Sequence, residues 1–142
     1  MGIEIYTDGG ARGNPGSAAA GVVIVTEKTE YQSGYYLGER TNNQAEYLAL
    51  ILALEQLNQL EDAKQINHQD LTTLNVYLDS ELVVKQLNHE YKVKDPDLQK
   101  LNQQVQALAK AFSMIKFKHI PREENRRADA IVNQVLDLQI GL

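Results

Sequence analysis

The sequence has no cysteine and no tryptophan, and only three prolines and three histidines in 142 residues. Without cysteine the chain forms no disulfide, zinc finger or iron–sulfur cluster, and it has no thiol nucleophile. The histidines, His68, His89 and His119, lie too far apart in sequence to suggest a zinc site. A metal ion in this protein would therefore be held mainly by oxygen ligands.

Long apolar runs are also missing. The densest run, "AEYLALILAL", is about half the ~20 residues that a membrane span requires. The first ten residues, "MGIEIYTDGG", have neither the basic nor the apolar region of a secretion signal, and Tyr6 stands where a myristoylation signal needs Ser or Thr. The sequence therefore predicts a soluble, cytoplasmic protein.

Basic residues are the third scarcity. The chain has 14 Lys and Arg against 19 Asp and Glu, which gives a net charge of −5. Taken alone, this balance argues against a nucleic-acid binder driven by electrostatics.

The length and the 43% hydrophobic content suit one domain, residues 1–142, with a single core. A monomer is the expectation for a domain of this size.

Hydrophobic periodicity predicts an α/β fold with a five-stranded mixed sheet flanked by helices. The predicted element order is βββαβααβα, and the first three strands are antiparallel. Strands are predicted at 3–8, 18–27, 31–39, 71–80 and 113–120, and helices at 41–60, 80–89, 95–112 and from about 123. "TNNQ" fits a capping box that begins at Thr41, and Asp95 followed by Pro96 fits the start of the third helix.

Two strands end in the same pattern, Tyr-x-Asp, in "EIYTDG" and "NVYLDS". Asp8 and Asp79 are therefore expected at the carboxyl ends of two strands, where an α/β sheet binds its ligands. A helix intervenes between them, which permits parallel pairing. Either aspartate alone is more typical of a turn or a helix cap. The matching contexts instead favour a shared site.

Two further acids border apolar helix faces. Glu46 lies one turn into its helix, with Ala49, Leu50 and Ala53 at the positions that share its face, and Asp129 lies near the start of the last helix. Each also suits the first turn of a helix, where the dipole favours an acid. Four clustered acids would repel one another, and divalent cations relieve that repulsion. Hard oxygen ligands indicate Mg²⁺, with two ions about 3.5–4 Å apart for phosphodiester hydrolysis.

The chain resembles type 1 ribonuclease H, of the small bacterial and archaeal kind without a basic protrusion. The resemblance covers nearly the whole length, through "YTDGGARGNPG", "TNNQAEYLAL", "YLDSELV" and "HIPREENRRAD". It implies an endonuclease that cuts the RNA strand of RNA/DNA hybrids with Mg²⁺ or Mn²⁺, leaving 5′-phosphate and 3′-hydroxyl ends. It also implies that the catalytic and metal-binding acids are Asp8, Glu46, Asp79 and Asp129.

The same resemblance implies a set of substrate contacts. Glycine beside a ligand lets the backbone approach closely, and contacts to 2′-hydroxyls distinguish RNA from DNA. Ordinary turn and helix-start roles remain the alternative for the polar members of the set. The implied substrate-binding residues are Gly9, Gly10, Asn14, Thr41, Asn43, Gln44 and Ser80.

Two departures from the family pattern concern basic residues. His119 keeps the spacing of the family's catalytic histidine from Asp129 but is predicted to close the fifth strand, so Arg122 is a second candidate for that role. "NHEYKVKDPDL" is too short for the basic helix that grips the hybrid in many relatives. Lys92, Lys94, Arg126 and Arg127 are partial substitutes at most. We therefore expect weak substrate binding, since each missing phosphate contact lowers affinity.

Other functions remain open at this point. One alternative is a non-catalytic module of the same fold that binds hybrids or double-stranded RNA, and the intact acids argue against it. Another is a nuclease or strand transferase of a related fold, which would not need "TNNQAEY". A structural or interaction domain has no positive feature in its favour. The sequence leaves double-stranded RNA open as a second substrate.

Overall fold

The computed structural model describes residues 2–140, except for the side chains of residues 70, 72 and 140. Its five strands form one mixed sheet in the order β3-β2-β1-β4-β5. The strands are β1 Ile3–Gly13, β2 Gly16–Val25, β3 Glu30–Arg40, β4 Thr73–Leu78 and β5 Met114–His119. The helices are α1 Asn42–Asp62, α2 Glu81–Leu87, α3 Pro96–Ala109 and α4 Arg126–Ile140. The predicted fold class and element order are confirmed.

Strand β1 lies at the centre of the sheet and pairs differently on its two sides. It is antiparallel to β2 and parallel to β4, and Tyr6 lies directly opposite Tyr77. The two rings stack with their centroids 4.9 Å apart. In this register Asp8 and Asp79 each lie two residues beyond the paired tyrosines, Asp8 within β1 and Asp79 directly after β4. The parallel pairing that the two Tyr-x-Asp patterns suggested is confirmed.

Strand β1 extends further than the sequence pattern predicted. The strand was expected to end at Asp8, but it continues to Gly13 by pairing with β2, where Asp8 lies opposite Gly21. Its glycine-rich part has the local character of a turn, whereas the hydrogen bonds of the hairpin hold it extended. Asp8 therefore lies within a strand, just beyond the point where the parallel pairing with β4 stops.

Helix α1 begins as the sequence predicted. The Thr41 side chain accepts a hydrogen bond from the Gln44 backbone N–H, and the Gln44 side chain accepts one from the Thr41 backbone N–H. Asp95 caps α3, with Pro96 in the first turn. Two short 3₁₀ helices, His68–Thr72 and Arg122–Glu124, precede β4 and α4. The second replaces the first turn of the predicted last helix, which therefore begins at residue 126.

The helices cover the two faces of the sheet unequally. The main core lies between one face and α1, α2 and α3, and contains Ile5, Leu50 and Leu74. Helix α4 packs on the other face across β1, β2 and β3. It lies so close to β2 that a Cβ atom on Gly21 would be 2.3 Å from the Ala128 carbonyl oxygen. Within residues 2–140, no helix is both long enough and apolar enough to cross a bilayer.

Candidate active site

Three of the four predicted acids meet at the point where β1 and β4 part. Asp8 extends from β1, Asp79 follows β4, and Glu46 lies in the first turns of α1. One carboxylate oxygen from each lies within 4.8 Å of the others. Asp8 and Glu46 are buried, at 8% and 5% exposure, and Asp79 is half-buried. Residues 71 positions apart in sequence thus form one cluster because the strands that carry them are parallel neighbours.

Glu46 is held by the backbone of β1. The Gly9 N–H donates to its Oε1 atom at 2.5 Å. The strand passes so close to α1 that a Cβ atom on Gly9 would lie 2.2 Å from the Ala45 carbonyl group. Glycine at position 9 therefore has a packing reason that is independent of any ligand, whereas a Cβ on Gly10 would make only an ordinary contact with Val132, at 3.5 Å.

Asp129 completes the acidic group from the opposite side. It lies in the first turn of α4 and lines the same cleft, and its charge also contributes to the raised pKa of Asp8. Its Oδ1 atom is 3.5 Å from the Arg122 guanidinium, and Asn133 donates to its Oδ2 atom at 3.4 Å. Its side chain is 30% exposed. Asp129 is therefore more exposed than Asp8 and Glu46, and among the described ion pairs it is the one of the four acids with a basic partner.

Burial and mutual repulsion disfavour the ionised forms of the inner acids. Burial, followed by the charge of Asp79, raises the pKa of Asp8 to about 7. Burial and then the charge of Asp8 raise the pKa of Glu46 well above its usual value, although the hydrogen bond from Gly9 opposes this. Carboxyl groups with such perturbed pKa values in a cleft are typical of functional sites.

The donor set fits a divalent cation. The Glu46 Oε2 atom is buried and has no hydrogen-bond partner among the described residues. A buried carboxylate oxygen without a partner is costly, and a cation removes that cost. The ligand atoms available are carboxylate oxygens, which Mg²⁺ and Mn²⁺ prefer. Asp8, Glu46 and Asp79 form the inner group, and Asp129 borders it.

The acids lie in an open cleft of about 480 Å³. Four of the predicted substrate-binding residues line it together with the acids, namely Gly9, Gly10, Asn43 and Ser80. Ser80 also caps α2 by accepting from the Val83 N–H at 3.3 Å. These four residues therefore share the cleft with the acids, and their contact with a substrate stays a prediction.

The other three predicted substrate residues are not among those that line the cleft. Thr41 and Gln44 form the capping box of α1. The Asn14 side chain accepts from the Asn42 backbone N–H at 2.9 Å, which joins the β1–β2 hairpin to α1. These residues have the local roles that were the alternative interpretation, and their contact with a substrate stays a prediction.

The two candidates for the histidine role are placed differently. Arg122 lines the cleft, close to Asp129, and is largely exposed. His119 is exposed at the end of β5, opposite Leu78, and is not among the residues that line the cleft. No helix lies between Leu87 and Pro96, so the basic helix is missing as predicted.

Sequence reasoning did not single out several residues at the site, among them Asn125 and Arg12. Asn125 is 1% exposed and donates to both the Thr7 carbonyl oxygen and Asp79. Arg12 lines the cleft and is held by Asp137 at 2.6 Å. Asn125 lies within "HIPREENRRAD", four positions before Asp129. Its one sequence signal was a polar residue at the start of an amphipathic helix, which suggests an ordinary cap.

The central strand is parallel to one neighbour and antiparallel to the other, and carboxylates from two strands and two helices meet in one cleft. This combination of fold and site defines a ribonuclease H-like protein. The Reverse transcriptase-like family model matches residues 6–135. Ribonuclease H of Trichodesmium erythraeum is 32% identical over 99% of this chain and 94% of its own length. The chain belongs to the ribonuclease H family, and its relatives include type 1 members.

Other similar proteins come from a bacterium and an archaeon. Ribonuclease HI of Halobacterium salinarum is 39% identical over 95% of this chain, which covers 64% of that protein. A bifunctional protein of Mycobacterium tuberculosis is 41% identical over 96% of the chain. The chain spans only 36% of the length of that mycobacterial relative.

Solved structures agree with the family assignment. LC11-RNase H1 in complex with an RNA/DNA hybrid has a TM-score of 0.87 and is 45% identical, over 97% of this chain and 99% of the other. RNase H1 of Halobacterium salinarum has a TM-score of 0.85 and is 37% identical, over 96% and 98% of the two chains.

Proposed function

We propose that this protein is an endoribonuclease that hydrolyses the RNA strand of RNA/DNA hybrids and leaves 5′-phosphate and 3′-hydroxyl ends. The observation that carries the proposal is the group of Asp8, Glu46 and Asp79 in one open cleft, with a buried carboxylate oxygen that has no hydrogen-bond partner among the described residues. The hybrid-bound relative supports the choice of substrate, since it aligns over 97% of the chain.

The proposed cofactor is Mg²⁺, with Mn²⁺ as a substitute and two ions per site when substrate is bound. Asp8, Glu46, Asp79 and Asp129 are the residues that would hold the ions. When bound, such ions supply an activated water molecule and charge neutralisation at the leaving oxygen. A non-catalytic binding module would have no use for a buried, uncompensated carboxylate, so we favour the enzyme over that alternative.

The chain's own residues orient the acids and the duplex. The Gly9 N–H fixes the Glu46 carboxylate, and the extended backbone at Gly10 leaves the cleft floor open to a ribose. Asn43 and Ser80 line the cleft walls, where polar side chains are suited to 2′-hydroxyl contacts. The Arg122 guanidinium pairs with Asp129 at 3.5 Å, but its side chain is 80% exposed, so it is accessible to a phosphate of the duplex.

The test is cleavage of one labelled sequence presented as RNA/DNA hybrid, double-stranded RNA, single-stranded RNA and duplex DNA. Each is incubated with Mg²⁺, Mn²⁺ or EDTA. We expect metal-dependent cutting of the RNA strand of the hybrid, with 5′-phosphate products. Asp8→Asn should abolish it, because the substitution removes one charge from the inner acids. Glu55→Gln, which changes an exposed acid of α1, is the control that should cut like the wild type.

Each outcome of this assay decides between the candidates. Hybrid binding without cleavage in either metal would overturn the enzyme and favour the binding module. Cleavage that survives Asp8→Asn would overturn the assignment of the acids. Cutting of double-stranded RNA by the wild type would add it as a second substrate.

A further inference from the structure

Asn125 is the buried polar side chain that connects the elements of the site. It lies between the short 3₁₀ helix Arg122–Glu124 and α4, and it is 1% exposed. Its amide nitrogen donates to the Thr7 carbonyl oxygen at 2.8 Å and to Asp79 Oδ2 at 3.3 Å. Thr7 directly precedes Asp8. One side chain thus connects the strand that carries Asp8 to the carboxylate of Asp79.

The backbone of the same residue reaches the fourth acid. The carbonyl oxygen of Asn125 accepts a hydrogen bond from the Asp129 N–H at 3.1 Å, which forms the first turn of α4. Asn125 therefore contacts β1, the end of β4 and the start of α4. These three elements carry Asp8, Asp79 and Asp129.

The chemistry of a primary amide suits this position. Its NH₂ group has two donors and no charge, so one N–H can hold the strand carbonyl and the other can hold the carboxylate. A Lys or Arg there would neutralise Asp79 and compete with a cation, whereas a second acid would repel Asp79. An amide orients the carboxylate and leaves its charge available.

We propose that Asn125 is a positioning residue that fixes Asp79 relative to β1 for cation binding. The proposal rests on the proposed function, which it deepens. It agrees with the general finding that partners of metal ligands set ligand orientation, and that their loss lowers metal affinity or activity about 10- to 100-fold. The Glu46 carboxylate is held in a comparable way by the Gly9 N–H of β1. The Asp79 carboxylate is held by Asn125, whose side chain is itself bonded to β1.

The test compares Asn125→Ala with Asn88→Ala. Asn88 is a matched control because its side-chain amide also donates to a strand carbonyl oxygen, that of Phe117, at 3.0 Å. Among the described contacts, none joins Asn88 to the four acids. Two quantities are measured for each protein. One is the Mn²⁺ concentration at the midpoint of thermal stabilisation by the metal alone, and the other is the pair of kcat and KM on an RNA/DNA hybrid.

We expect Asn125→Ala to raise the Mn²⁺ midpoint about 10- to 100-fold and to lower kcat, with KM unchanged. Asn88→Ala should change neither. Wild-type values for Asn125→Ala would overturn the proposal. The proposal would also be overturned if both variants showed equal changes in the Mn²⁺ midpoint and kcat, in proportion to their losses of stability. Such a result would indicate a structural role alone. If the wild type fails to cleave the hybrid, the proposed function fails, and the Mn²⁺ midpoints still decide the positioning role.

A second measurement needs no variant, and it applies if Asn125→Ala does not fold. The side-chain amide protons of Asn125 are followed by NMR in the wild-type protein during a titration with Mg²⁺. We expect protected resonances that shift with the same midpoint as thermal stabilisation by Mg²⁺. Amide protons that exchange rapidly, or that do not respond to Mg²⁺, would overturn the proposal.

Discussion

At the scale of single residues, Asp8 links the chemistry of the site to the stability of the metal-free protein. Burial and the charge of Asp79 raise its pKa to about 7, whereas an aspartate in an unfolded chain has a pKa of about 3.9. The folded protein therefore binds a proton that the unfolded protein has already released between these two values. Its free energy of unfolding falls as the pH rises through that window.

We accordingly predict that in EDTA the contribution of Asp8 to the free energy of unfolding is greatest below about pH 4 and falls until about pH 7. Asp8→Asn should flatten this dependence, because an amide does not titrate. At pH 8 the variant should be more stable than the wild type by a few kcal/mol, since a pKa difference of one corresponds to about 1.4 kcal/mol. Urea denaturation at a series of pH values measures both quantities.

Glu55→Gln is the control for this prediction, because Glu55 is an exposed acid on the helix that carries Glu46. It should keep the pH dependence of the wild type. Excess Mg²⁺ should stabilise the wild type more than Asp8→Asn, since a ligand stabilises the state that binds it. A variant that is no more stable than the wild type at pH 8 in EDTA would contradict the cause given for the raised pKa.

At the scale of elements, the passage of β1 beside α1 gives two neighbouring glycines different roles. A Cβ atom on Gly9 would lie within 2.5 Å of three backbone atoms of α1, whereas one on Gly10 would make only a contact at 3.5 Å. Gly9→Ala should lower the free energy of unfolding by about 1–3 kcal/mol or more, because the backbones of β1 and α1 would have to move apart to relieve the clash. Gly10→Ala should leave it unchanged.

For substrate binding, Gly10→Ala is the variant expected to show the effect, although its stability is unchanged. If the hybrid approaches the backbone at Gly10, as proposed, Gly10→Ala raises KM for the hybrid while stability stays that of the wild type. Chemical denaturation and steady-state kinetics on the pair of variants make the measurement. A Gly10→Ala enzyme with wild-type KM would remove this residue from the substrate contacts.

The same elements show what local sequence could predict. Alternation, caps and the two Tyr-x-Asp patterns were sufficient for the sheet, the start of α1 at Thr41 and the meeting of Asp8 with Asp79. The extension of β1 to Gly13 was not predictable locally, because glycine-rich segments favour turns and its hydrogen bonds come from β2. The role of Asn125 was hidden for a related reason, since its strand partner lies 118 residues away.

At the scale of the whole molecule, the charge balance limits how strongly the protein would hold a duplex under the proposed function. The net charge is −5, and the basic residues that line the cleft are Arg12 and Arg122. Arg12 is already paired with Asp137. Specific contacts to riboses select the substrate, whereas contacts to phosphates position it and supply most of the affinity. Under the proposed function, we expect weak binding of the hybrid with intact specificity. The single domain, the monomer and the cytoplasmic location stay predictions.

Salt dependence makes this quantitative. For hybrid binding by Asp8→Asn, which is expected to lack cleavage, we predict a shallow slope of about −2 for log K against log salt concentration. Adding Arg122→Ala should reduce the magnitude of that slope by about one. Lys110→Ala, at the end of α3 beside the opposite end of the sheet, is the control and should leave the slope unchanged. A steep slope that is insensitive to Arg122 would place the phosphate contacts elsewhere.

The position of α4 across β1, β2 and β3 has a consequence for the protein during its synthesis. Asn125 reaches back 118 residues to Thr7, and Asp137 reaches back 125 residues to Arg12. A nascent chain that has not yet added residues 125–129 contains Asp8, Glu46 and Asp79 but lacks both the amide that orients Asp79 and the fourth acid. Such distant pairings also form slowly. Under the proposed function, a ribosome-bound chain stays inactive until helix α4 has emerged and has packed on the sheet.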